Sequence, residues 1–227
     1  MTAAARAKIP KSERTRAEIL HAAEHCFAAR GFARTRLDDI GDEAGIAGTA
    51  ILYHYKDKRE LYRAVLTDCF SGLLAALQGT LAGHGTLVQR IEALVSVIVD
   101  YVGNRPTAAR LALREASTDD PEQQAELRAY AAPFLELLTH IFEEGERSGV
   151  IQPIRSDPFH FVSALAGTVV FYVAALPTFV SDLPYDHLAP DQLKALERDA
   201  LNITRRLLGI SGPRSTRRSP QSKEDKR

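Results

Sequence analysis

At 227 residues the chain can form one large domain or a small domain joined to a medium one, and its 45% apolar content suits a buried core. No apolar run is read as reaching the roughly 18 residues of a membrane span, and two cysteines, Cys26 and Cys69, exclude a disulfide framework and a four-ligand zinc site. The formal net charge of zero hides an asymmetry: residues 1–36 carry eight Lys/Arg against three Asp/Glu, residues 61–200 ten against eighteen, and residues 201–227 eight against two.

Helical periodicity dominates and no strand alternation stands out, so the expected fold class is all-α, with about nine helices. Ser12 is expected to cap a first helix whose apolar face carries Ile19, Leu20, Ala23 and Phe27, with Gly31 stopping it. Thr35-x-x-Asp38 reads as the cap of a short helix through Ile40 and Ala44, ended by Gly45. Another short helix runs from about Ala47 to Tyr53, and Asp57-x-x-Glu60 caps a long one from Lys58 to Leu81. Residues 86–103 are strongly apolar and predict a buried helix. Pro106 and Pro121 each suit the first turn of the next two, to about Ser117 and Arg147. Asp157-Pro158 opens a helix through Phe171 to Leu176, which Pro177 is expected to end, and the last helix spans about 190–208. The stretch 211–227 is Ser, Pro and charge and is expected to be a disordered basic tail.

Residues 36–55 make two short helices joined at Gly45, with Leu37, Ile40, Ala44, Ile46 and Ile51 turned inward and the second helix exposed on its other side. A helix-turn-helix needs that geometry: one helix braces on the phosphate backbone, the other enters the major groove. Taken alone the pattern is shared by many helical proteins. A basic head suits a polyanion, and chance clustering of solvated charge explains the asymmetry equally well.

The residues around it narrow the choice. Thr15-Arg16-Ala17-Glu18-Ile19-Leu20, Ala23, Phe27, Gly31-Phe32, Thr35, Asp39-Ile40 and Glu43-Ala44-Gly45-Ile46, followed by Tyr53-His54-Tyr55-Lys56-Asp57-Lys58-Arg59-Glu60-Leu61, resemble the DNA-binding head of the tetracycline-repressor (TetR) family over residues 13–66. Leu52 stands where the family often has Tyr, His54-Tyr55 replaces Tyr-Phe, and Ala47 replaces Ser or Thr. The resemblance implies a helix-turn-helix domain at 13–60 and an effector-binding and dimerisation domain at 61–208. It also implies a homodimer that binds an inverted-repeat operator in double-stranded DNA and is released by a small molecule.

By residue type, Thr15, Thr35, Tyr53, His54 and Lys58 can reach phosphate oxygens, and Lys58 opens a helix whose free N–H groups attract phosphate. Gly48, Thr49 and Ala50 offer the groove-facing surface, none able to make a bidentate base pair contact, which leaves Arg36 as the candidate for a base or minor-groove contact. Tyr55 is expected to pack in the core. In the body, the resemblance implies that the last two helices dimerise. Ser163, Ala164, Gly167 and Thr168 would permit close approach there, or else Gly167 merely accommodates a neighbour in the same subunit. Arg110 and Arg114, four apart on one helix, could hold an acidic group or pair with Glu115 or Asp100. By analogy Tyr101, His140, Phe171 and Tyr172 surround the same space, although a histidine such as His140 is more often a satisfied helix residue than a ligand contact. Cys26 and Cys69 share faces with Ile19 and Leu66 and are expected to be buried and inert rather than redox-sensing.

Three classes follow: a ligand-responsive transcription regulator, a helix-turn-helix protein controlled by a partner protein, and an enzyme. No nucleophile elbow, phosphate loop or HExxH spacing supports the last. No cofactor, metal or membrane partner is expected. The lead from Met1 to Pro10 lacks an apolar signal core, so the location expected is the cytoplasm.

Overall fold

The structure of the chain, a computed structural model, describes residues 10–210, and the lead at 1–9 and the expected tail at 211–227 lie outside the described residues. Among the described residues there are helices and no strand. Nine helices follow one another among the described residues: α1 (Lys11–Arg34), α2 (Leu37–Ala44), α3 (Gly48–Ile51), α4 (Lys58–Leu81), α5 (Leu87–Asn104), α6 (Pro106–Ala116), α7 (Pro121–Arg147), α8 (Pro158–Phe179) and α9 (Pro190–Leu207).

Local chemistry accounts for most of these boundaries. The Asp57 carboxylate accepts from the Glu60 N–H at 2.8 Å, Thr86 and Gln89 form a reciprocal capping box, and Asp120 and Asp157 cap the helices that Pro121 and Pro158 open. Gly45 ends α2 in the left-handed conformation (φ 69°).

Three expectations fail. Pro10, not Ser12, precedes α1, and the helix breaks at Gly31 (φ 79°) but resumes for a last turn to Arg34. Thr35 does not cap α2: the Asp39 carboxylate takes the Arg36 N–H at 2.8 Å, while the Thr35 hydroxyl donates to the Gly31 carbonyl at 2.8 Å and the Cys26 carbonyl at 3.2 Å. Pro177 does not end α8. The helix widens to a π-helical turn at Phe171–Ala175 and resumes as Leu176–Phe179, with the proline in the first turn of the resumed segment, where its missing N–H costs little.

Three apolar clusters hold the helices together. The head's cluster joins Ile19, Ala23, Phe27, Ile40, Ile51 and Tyr55 to Leu61, Tyr62, Val65, Leu66 and Cys69 of α4 and Leu111 of α6. The first three turns of α4 thus belong to the head's core, and a boundary drawn at residue 60 cuts through it. A second cluster unites α5, the end of α7, Ile151 and Leu208, and a third unites α5, α8 and α9.

Two helices, Lys58–Leu81 and Pro158–Phe179, are long and apolar enough to cross a membrane by length and composition, the second with a mean hydropathy of 1.9. That corrects the expectation of no such run. In α8, Phe159, Ser163, Ala166, Gly167, Phe171 and Phe179 lie exposed along one side, with Phe171 and Phe179 stacked at 6.0 Å.

Candidate nucleic-acid interface

The helix-turn-helix is built on two facing glycines. A Cβ on Gly41 of α2 would stand 2.6 Å from the Ile46 carbonyl oxygen and 2.8 Å from the Gly48 amide, and a Cβ on Gly48 would stand 3.0 Å from the Asp38 Cα. The two helices cross so closely that neither position tolerates a side chain. Gly48, expected on the groove-facing surface, is therefore turned into α2.

The outward side of α3 and the turn after it presents Thr49, Ala50, Leu52 and Tyr53, all exposed, Tyr53 at 88% and Leu52 at 47%. Half-buried His54 sits edge-on beneath Tyr53, and its carbonyl accepts from the Arg16 guanidinium at 3.3 Å. That guanidinium also lies 4.4 Å from the centre of the Tyr55 ring, which is buried as expected. Thr15 is half-buried on α1, and Arg36 is exposed at the start of α2.

Two expected phosphate contacts are corrected. Thr35 is buried and its hydroxyl is committed to two carbonyls, so it reaches no outside group. Lys58 folds back across the Phe32 ring, and its ammonium donates to the Phe32 and Thr35 carbonyls at 2.9 Å each. It closes the carbonyl end of α1, and its burial lowers its pKa. Arg16, Leu52 and Lys56 are exposed members of this surface that the sequence reading did not assign. Leu52 could have been found, since it departs from the family pattern and follows Ile51 on the opposite helix face.

The expected ligand residues do not converge. The Tyr101 hydroxyl donates to the Cys69 carbonyl at 2.6 Å and accepts from Arg105 at 3.1 Å, Tyr172 bonds Tyr185 through their hydroxyls, and His140 and Phe171 are exposed. Arg110 and Arg114 form no ion pair with Glu115 or Asp100 among the described residues; both line a cleft between the head and the body. Among the described residues nothing lies within 4 Å of a Cβ placed on Gly167, so it accommodates no neighbour among them. Ser163 beside it is exposed, Ala164 is half-buried, and the Thr168 hydroxyl donates to the Ala164 carbonyl. Both cysteines are buried, and burial pushes the Cys69 thiol up to about 12.

A polar network missed by the sequence reading ties head to body. Glu24 of α1, 3% exposed, receives the Arg105 guanidinium, with Nε at 2.9 Å, and the Thr107 hydroxyl, while Arg105 also pairs with Asp68 of α4. Against the cost of burial, the hydrogen bonds from Arg105 and Thr107 hold the Glu24 carboxyl below its ordinary range. No local pattern marks such a pair, because its members are 81 residues apart.

A helix-turn-helix head on a helical bundle defines a class of DNA-binding regulators, and comparison with known proteins agrees. Residues 19–65 match the family model described as bacterial regulatory proteins, tetR family, and residues 88–203 match a tetracyclin repressor-like C-terminal domain. The chain belongs to the TetR family of bacterial transcription regulators. It is 28% identical over 121 residues to the HTH-type transcriptional activator FasR of Mycolicibacterium smegmatis, a match covering 53% of this chain and 55% of that one, so it spans about half the relative's length. Similar folds include the regulator FadR from Bacillus subtilis in complex with stearoyl-CoA (TM-score 0.66, 19% identity, 86% of this chain and 99% of that one). AibR in complex with isovaleryl coenzyme A and operator DNA is another (TM-score 0.66, 16% identity, 83% and 97%).

Proposed function

We propose that the chain acts in the cytoplasm as a homodimeric repressor, bound to an inverted-repeat operator and released by an acyl-CoA thioester. The observation that carries this reading is the unpartnered apolar side of α8, from Phe159 through Gly167 to Phe179, continuous with the bundle that α8 forms with α9. A second copy covers that side and sets two heads at a fixed spacing, which an effector in the body changes. The FadR and AibR complexes support the effector's class. The body's apolar seam, lined by Ile91, Leu94, Ile98, Ile141, Phe161 and Leu165, has a volume of about 20 Å³, room for a single water, so an acyl chain must open it. A ligand shifts the spacing only if it binds one arrangement more tightly. The name of FasR favours a second reading, in which the bound dimer activates its promoter.

The test is binding of DNA flanking the chain's own gene, followed by sedimentation and fluorescence anisotropy. Wild type is expected as a dimer that stearoyl-CoA displaces, and Gly167→Leu as a folded monomer with operator affinity at least about 100-fold weaker, since a half-site alone loses the second head's contribution. Stearoyl-CoA binding equally to free and operator-bound protein would remove the inducer role, because coupling between two ligands is reciprocal.

We further propose that sequence is read through apolar contacts. The surface of Thr49, Ala50, Leu52 and Tyr53 suits the 5-methyl group of thymine better than a hydrogen-bonding base edge. Replacing operator thymidine by deoxyuridine at the contacted position is expected to cost about 4-fold in affinity, the worth of one buried methyl. Leu52→Ala should abolish that difference; an unchanged difference in the variant would place the contact elsewhere.

A further inference from the structure

The cleft at the junction of head and body has a volume of about 900 Å³ and is walled by the end of α1, by α6, by the start of α7 and by the π-helical part of α8. Four arginines line it, Arg30, Arg34, Arg110 and Arg114, with two acids, Glu115 and Asp120. Three of these groups are already engaged. Arg30 pairs with Asp39 at 2.8 Å, and Asp120 accepts the Glu122 and Gln123 amides that it caps. Arg114 lies across Gly31, its Cδ 3.2 Å from where a Cβ would stand, and donates to the Ala29 carbonyl at 3.2 Å, which leaves further N–H groups unused.

Arg34 and Arg110 are exposed and form no ion pair among the described residues. Glu115 is 2% exposed and faces the buried Tyr62 hydroxyl, so its carboxyl is turned into the core. Burial raises the Glu115 pKa, so its negative charge opposes an anion less than a free carboxylate would. The wall opposite carries Ala174 of the π-helical turn, a geometry frequent at functional sites, and Pro177 just beyond it.

We propose that this cleft binds the phosphorylated nucleotide end of a small molecule, gripped by Arg34, Arg110 and Arg114. The guanidinium fork matches phosphate oxygens two at a time, and three such forks answer the charge of a nucleotide bisphosphate. Because Arg34 belongs to the head and Arg110 and Arg114 to the body, the occupant fastens one to the other and sets the head's angle. The inference rests on the reading that the body takes an acyl-CoA, whose nucleotide this would be. A free nucleotide has the same chemistry.

Calorimetry with stearoyl-CoA, coenzyme A, adenosine 3′,5′-bisphosphate and ATP separates the cases. Coenzyme A and the bisphosphate are expected to bind without any acyl chain. The double variant Arg34→Ala, Arg110→Ala should weaken them by about 10- to 100-fold, with melting temperature and operator affinity unchanged. ATP binding as tightly as the bisphosphate would make a free nucleotide the occupant. Failure of both acyl-free probes at millimolar concentration, or equal binding by wild type and double variant, would overturn the cleft. Stearoyl-CoA that binds both proteins alike would overturn the cleft and leave the effector reading standing. Nucleotide binding that needs the arginines, with no response to stearoyl-CoA, would do the reverse.

Discussion

Arg105→Ala is expected to lower stability at neutral pH by about 3–5 kcal/mol, the cost of leaving a buried carboxylate without its cation. Glu24 is 3% exposed, and without the guanidinium it loses its one paired cation and keeps the hydrogen bond from the Thr107 hydroxyl. For a chain of this size that corresponds to roughly 10 °C in melting temperature. The pH dependence gives the effect its signature. In the wild type the folded-state pKa of Glu24 is lowered, so its contribution is present above the ordinary carboxylate pKa and lost as pH falls through the lowered value. In the variant the sign reverses, because burial alone raises that pKa and protonation relieves the penalty. The gap between the two melting curves therefore narrows from pH 7 to pH 5; a constant gap would show that Glu24 is not the residue responsible. A Glu24→Gln, Arg105→Met pair should recover most of the loss, since a well-packed apolar replacement of a buried ion pair is often neutral. The recovered protein should still bind operator but respond less to effector, because the network is the polar tie between α1 and the α5–α6 corner.

Gly41→Ala is expected to cost about 2–3 kcal/mol and to weaken operator binding at least about 100-fold. The new methyl meets backbone, the Ile46 carbonyl and the Gly48 amide, and not the end of a flexible side chain, so α3 must move off α2. Moving α3 displaces Thr49, Ala50, Leu52 and Tyr53 together, and a misplaced recognition surface loses all its contacts at once. Gly45→Asn serves as the control. Gly45 is left-handed with open space around it, and Asn tolerates that conformation, so thermal melts and anisotropy should scarcely change. Equal damage from both variants would mean that the turn, and not the helix crossing, is the sensitive element.

What the sequence determined by itself was local. Helix starts at Asp57, Pro121 and Pro158 were legible because a cap or a proline acts within three residues, and the interior helix faces were legible because burial follows the 3.6-residue period. The TetR family was legible for the same reason, its signature being a dense run of such residues over 13–66. Tertiary structure decided everything in which distant residues compete for one group. Thr35 and Lys58 have the chemistry of phosphate contacts, yet the unsatisfied carbonyls at the end of α1 claim both. Pro177 has the chemistry of a helix stop, yet a π-helical turn carries α8 past it. Arg110 and Arg114 were singled out together, but only packing placed them opposite Arg34, and only packing buried Glu24 where Arg105 could reach it. A side chain's type sets what it can bind; its position among desolvated neighbours sets what it does bind, because a buried polar group left unpaired costs more than an exposed contact gains.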